Sequence, residues 1–425
     1  MPDTLPPLRV EQALQLLPDV EALAPLRGMV VSSSRSRPST ELHCTVGKRH
    51  VEAALIRARI ADVVADFSGH IADLYDAAVE ALECEQRDDS PRAVRALLRA
   101  GDREWRVGRE SQARVWYQHA LRIAEGLRER GPEIETLWHL GELDAAWGRF
   151  DAAARFHQRS FALAETELDF GSAARACAGL GDIALAHGTW QGAASWFARG
   201  LPYAGGDQRL KGLLSLGCGE VGRLRGELQV AEEWFRRARE AFERTGDAEG
   251  IVRVLNAWGQ LETDRGRYVE ALASFREALA GLRGGADAPM LEMAIRLNGC
   301  RLYMAWDRLP DAEDEIRLAE ETAVTHNFTH QLARVYMLLG YVRRKQGDEA
   351  GFVFFEKAIE LCRGRQPALR LEAEAYLAYS RFLGEMGDRD ESRAYRQRAL
   401  AITEALGDGP ILSQNHAELD LLEAR

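Results

Sequence analysis

The sequence predicts an all-α solenoid of stacked antiparallel helix pairs, and three observations carry that prediction. A glycine or other small residue recurs at Gly101, Gly141, Gly181, Gly219, Gly259, Cys300, Gly340 and Ser380, in steps of 40, 40, 38, 40, 41, 40 and 40 residues. A second series follows seven residues later, at Gly108, Gly148, Gly188, Gly226, Gly266, Gly347 and Gly387, with Asp307 in the one unit that lacks the glycine. Small and aromatic residues then alternate at helical spacing: Ala113, Tyr117, Ala120; Ala193, Phe197, Gly200; Ala231, Phe235, Ala238; Ala271, Phe275, Ala278. A period held over three quarters of a chain marks repeats that bury their apolar faces on one another.

Each element follows from these series. Seven residues make about two helical turns, so the first small residue sits inside a helix and the glycine after it suits the helix C-terminus. In the helix that follows, a small residue with an aromatic four places on lets two backbones approach while the ring fills the gap above. Each unit is therefore helix, tight turn, helix, and eight such units span residues 91–405. Two units depart from the pattern. One carries Cys300, Asp307 and Pro310; the next, GDEAGFVFFEKAIEL, is one residue short between Gly347 and Ala358. Both are expected to bend the stack locally.

The pattern resembles the tetratricopeptide repeat, with several positions agreeing in each unit. The usual unit of that family has about 34 residues. The longer step here is similar to a subgroup with extended second helices and connecting loops, known from scaffolds and from bacterial sensor-regulators. The resemblance implies a right-handed superhelix with a concave groove lined by the first helix of each pair.

The flanks are expected to cap this array. VEAALIRARIADVVADF (51–67) and HIADLYDAAVEALE (70–83) read as a degenerate helix pair, so residues 46–90 form the N-terminal cap. Gly409 and Pro410 open ILSQNHAELDLLEA, a capping helix within 406–425 that covers the last repeat. Residues 1–45 form a partly flexible arm, serine- and arginine-rich at MVVSSSRSRPST, either a plain tail or a docking or autoinhibitory segment.

Composition narrows the function. Hydrophobic residues at 46% and charged residues at 28% of 425 describe an ordinary folded chain. A net charge of −11 argues against nucleic acid or an anionic membrane as the principal partner. The six cysteines are widely spaced with no C-x-x-C pair, which fits a reducing compartment. With no signal-peptide pattern and no apolar stretch long enough for a membrane span, the expected location is cytoplasmic. The near absence of lysine (Lys48, Lys211, Lys345 and Lys357 only) suggests a GC-rich, bacterial genome.

No motif points to catalysis, a cofactor or a metal. GCGEVG (217–222) has the letters of a dinucleotide fingerprint, but it lies on the repeat register inside a helix rather than after a strand. His43, Cys44 and His50 match no common zinc spacing. No H-E-x-x-H, G-x-S-x-G or P-loop occurs. The chain is read as a non-enzyme.

The candidate site is a groove. In the family the pattern resembles, the residue after each anchor and the residue four earlier line the concave face. Here the first series is Asp102, Glu142, Asp182, Glu220, Gln260, Arg301, Tyr341 and Arg381, acidic first and then neutral or basic. The expected groove residues are Trp138, Asp182, Glu220, Arg253, Asn256, Gln260, Arg301, Arg334 and Tyr341, with Arg253, Asn256, Gln260 and Arg301 converging on one stretch. Asparagine amides pair with the backbone of an extended peptide, and arginines with carboxylates. The lysine–asparagine set with which some relatives clamp a C-terminal carboxylate is not reproduced at these positions. The expected function is a non-catalytic scaffold holding a protein or peptide partner, with self-association left open. The alternative is a ligand- or peptide-sensing bacterial regulator whose superhelix changes shape on binding and releases residues 1–45.

Overall fold

The computed structural model describes residues 90–106, 110–283, 288–326, 328–363 and 369–406. The arm at 1–45, the helix pair at 51–83 and the closing helix at 411–424 lie outside the described residues. Within them every regular element is helical. The pairs are α1 (Ser90–Arg106) with α2 (Glu110–Glu125), α3 (Gly131–Ala146) with α4 (Phe150–Thr166), and α5 (Phe170–Ala186) with α6 (Trp190–Tyr203). Next come α7 (Gln208–Leu224) with α8 (Leu228–Thr245), and α9 (Ala248–Asp264) with α10 (Tyr268–Arg283). The last are α11 (Pro289–Ala305) with α12 (Leu309–Thr325), α13 (Thr329–Lys345) with α14 (Phe352–Cys362), and α15 (Leu369–Met386) with α16 (Arg389–Leu406). The fold is all-α, built of stacked antiparallel helix pairs.

The turn inside each pair explains the second glycine series. At Gly226 φ is +76°, a conformation that costs glycine nothing and other residues a clash with their own Cβ. There the Gly226 N–H donates to Arg223 O (3.0 Å) and the Glu227 N–H to Gly222 O (2.8 Å), which satisfies carbonyls the helix end would otherwise leave open. The same paired bonds close the turns at Gly148, Gly188, Gly266 and Gly347. Asp307 takes φ 60° and makes the equivalent bonds, so the degenerate unit keeps the turn without the glycine.

The anchor series explains the packing. Gly219 lies under Phe235, sixteen residues on; a methyl at Gly219 would fall 2.3 Å from the ring. Phe235 is fully buried, a contribution of roughly 1.5–3 kcal/mol to folding. Where the anchor is Cys300, the ring's place belongs to Ile316, in one cluster with Ala312 and Ala319. Where the anchor is Ser380, its hydroxyl donates to Ser392 O and the Ser392 hydroxyl returns the bond to Ser380 O, both at 2.8 Å. The unit that is one residue short closes with a 3-10 turn at Glu349–Gly351 and an eleven-residue second helix.

Two compact units result. Met1–Leu143 with Arg159–Leu168 form the first, and Asp144–Gln158 with Asp169–Arg425 the second. In the first, α1 packs on α2, the Tyr117 hydroxyl donates to Asp102 (2.6 Å), and His139 Nδ1 lies 3.1 Å from the same carboxylate. Arg159 bridges Glu125 (2.9 Å) and the buried Glu133. In the second, each helix from α5 to α16 packs on the next in chain order. Cys177, Cys300 and Cys362 are buried there and Cys218 half-buried, all as free thiols; burial pushes Cys300 up to about 12.

Candidate functional site

Within the second unit the first helices of the pairs also pack on one another: α5 on α7, α7 on α9, α9 on α11, and α13 on α15. Second helices pack chiefly on the first helices beside them. An arrangement in which one layer draws together and the other splays makes the first-helix layer the inner, concave one. The residue after each buried anchor points away from the second helix and so emerges on this inner face. Asp182 and Arg301 are exposed there, yet protein encloses both closely enough to shift their proton affinities.

The α5–α7 end of the face is acidic. Burial among protein atoms pushes the Asp182 carboxyl up to about 6; Arg253 works against the shift and Glu220 adds to it. Burial raises Glu220 too, opposed by Arg223, whose guanidinium reaches it at 2.9 Å. Arg223 also holds Asp264 on α9 at 2.8 Å. Desolvation opposes the charge of Arg223, but its two carboxylates outweigh that and raise its pKa. Arg253 pairs with Glu249 one turn back on its own helix (2.7 Å).

The α11–α13 end is cationic. Arg301 donates to Asn298 Oδ1 (2.9 Å), and Asn298 in turn donates to Asn256 Oδ1 on α9 (3.0 Å). Burial lowers the Arg301 pKa, and the like charges of Arg334 and Arg223 lower it further; Glu374 works in the other direction. Arg301 and Arg334 make no ion pair among the described residues. Tyr341 donates to Ala378 O (3.4 Å) and stands edge-on to Phe355, so it ties α13 to α15; burial pushes its hydroxyl up to about 12.

Beside Arg334 lies a small pocket that also takes in Trp147, His330, Gln331 and Glu374. The Trp147 ring meets His330 edge-on at 6.5 Å, with the Arg149 guanidinium 4.0 Å above it. Gln331 is 8% exposed and its Oε1 has no hydrogen-bond partner among the described residues.

The predicted residues therefore fall into three groups. Trp138 belongs to the first unit, where it stacks edge-on to His139. The structure links Asn256 and Arg301 through Asn298, and sets Arg334 beside Arg301. It sets Arg253 instead toward Asp182, while Gln260 sits half-buried one turn after Asn256. Sequence reasoning missed Arg223 and Asp264, one turn past the anchors on the same inner stripe; extending that stripe forward by four or five residues would have found them. The Trp147–His330 contact joins residues 183 apart in sequence and leaves no local signal.

Residues 214–284, running through α7 to α10, match the family model described as tetratricopeptide repeat. No curated protein matches the chain by sequence. Among solved structures, the Rap protein complexed with competence and sporulation factor is similar at 10% identity, over 87% of this chain and 99% of that one, with a TM-score of 0.47. The Rap conjugation gene regulator of the plasmid pLS20, in complex with the Phr* peptide, shares 15% identity over 85% of this chain and 94% of its own, at 0.48. A signal transduction ATPase from Pyrococcus horikoshii with a tetratricopeptide repeat sensor shares 15% over 98% of this chain and 74% of its own, at 0.49.

Proposed function

Starting from a stack of tetratricopeptide-type helix pairs, we propose that the second unit binds an extended segment of another protein, or a peptide, along its inner face without catalysing a reaction on it. The observation that carries this reading is the order of charge on that face. Acids (Asp182, Glu220) stand on α5 and α7, amides (Asn256, Asn298) on α9 and α11, and cations (Arg301, Arg334) on α11 and α13. These groups are open to water but enclosed by protein, where ionic contacts are stronger than on an open surface. A row of amides between opposite charges suits an extended backbone, which needs both donors and acceptors. The acidic end takes a basic side chain or amino terminus, and the cationic end an acidic group.

The test is affinity capture from the native host with wild type, Asp182→Lys, Arg301→Glu and a control, Arg244→Glu, whose side chain is 64% exposed on α8. A partner held by wild type and by the control but lost from both inner-face variants supports the reading. A partner list that ignores Asp182→Lys and Arg301→Glu moves binding to another surface.

A further inference from the structure

We propose that Arg301 and Arg334 form a subsite that receives a carboxylate of the bound segment, which rests on the reading that the inner face binds such a segment. Three arginines share this part of the face, and only one is neutralised by the chain. Arg223 lies between Glu220 and Asp264, at 2.9 and 2.8 Å, and has no charge to spare. Arg301 is given only the amide oxygen of Asn298, and Arg334 no ion pair among the described residues. Glu374 alone among nearby carboxylates offsets them, and it lines the pocket with Arg334. One further anion is needed for balance.

The site is also built to hold one. The relay from Asn256 through Asn298 fixes the Arg301 guanidinium from one side and leaves the rest of its fork for a ligand. A planar guanidinium matches a carboxylate with two parallel hydrogen bonds. Gln331 adds an independent sign: a buried amide oxygen in the pocket beside Arg334, with no donor. A carboxylate accompanied by an N–H is what a peptide presents, at its C-terminus or at an aspartate or glutamate within it.

The experiment selects binders to the full chain from a synthetic library of random heptapeptides with free C-termini, read by mass spectrometry. The tightest binder is resynthesised as a C-terminal amide, and separately with each Asp or Glu replaced by Asn or Gln. All forms are titrated calorimetrically against wild type, R301Q and R334Q. We expect one carboxylate-free form to bind wild type about tenfold or more weakly, and to bind R301Q and wild type alike. Which form it is assigns the carboxylate to the C-terminus or to a side chain. A selected peptide whose carboxylate-free forms all bind as well as the parent overturns the subsite while the binding face stands. If no peptide is selected, the binding reading itself fails and the subsite with it. Thermal unfolding of R301Q without ligand is the second readout. Its midpoint is expected to match or exceed wild type, because a repelled charge has gone; a fall of several degrees would make Arg301 a structural partner of Glu374 and overturn the proposal.

Discussion

Asp182 shows how enclosure turns an ordinary carboxylate into a titrating group near neutrality. Its carboxyl ionises at about 6 in the folded chain, against 3.8 for an unperturbed aspartate. Ionisation therefore costs the folded state more than the unfolded one, and that cost disappears as pH falls from 6 toward 4. Asp182→Asn is expected to stabilise the chain at pH 7.5 and to leave it unchanged at pH 4, in urea unfolding at the two values. A cationic partner bound at this end should weaken on the same titration, losing affinity below pH 6. Backbone conformation supplies a second test at this scale. Leu168 has φ 57° and is 70% exposed, so it contributes little burial while holding a left-handed conformation. Leu168→Gly should stabilise the first unit by about 1 kcal/mol, measured by chemical denaturation.

The elements owe their boundaries to two recurring devices, one at each end of the first helices. At the start, Asp169, Asp207 and Asp247 accept from the N–H groups of Ser172, Leu210 and Gly250, each at 3.0 Å. Asp247 also receives Arg209 from α7 at 2.8 Å, so one carboxylate caps α9 and ties it to the preceding pair. Asp247→Ala should cost about 1–2 kcal/mol, seen as a lower unfolding midpoint. At the other end stands the left-handed turn. Between the two, anchor and ring set the spacing of the helices. Gly219→Ala drives a methyl into Phe235 and should destabilise by about 1–3 kcal/mol, because the ring has no rotamer to retreat to among packed neighbours. Both the turn and the anchor were legible in the sequence, since each depends on residue type at a fixed local offset. The 3-10 turn at Glu349–Gly351 was legible as a missing residue, though not as the conformation that absorbs it.

Over the whole molecule, the balance of charge on the second unit's inner face matters more than any one pair. The Arg223 network crosses from α7 to α9, Asn298 crosses from α11 to α9, and Tyr341 from α13 to α15. Most cross-links on this face thus join neighbouring pairs, as expected of a stack in which each repeat is stabilised by the next. The α11–α13 cations are what these links leave over. That remainder is where a partner's binding energy would come from. Raising salt from about 0.05 to 0.5 M should therefore weaken partner binding at the inner face while leaving the unfolding midpoint nearly unchanged, because the core holding the stack is apolar.

What the sequence by itself determined was the repeat: its period, its helix–turn–helix content, the small residue under each ring and the glycine or aspartate at each turn. These follow from steric rules that act over a few residues and recur in every unit. It also ordered the charges along the inner stripe, acid before base. Only the tertiary structure decided which of those charges remain available. Arg253 and Arg223 carry the same charge as Arg301, but Glu249, Glu220 and Asp264 neutralise them, and those partners lie on the same helix in one case and on two helices in the other. Pairing depends on distances between side chains of different repeats, which a period of forty residues sets only to within the reach of an arginine. The contact of Trp147 with His330 was likewise decided by how the second unit's segments come together in space.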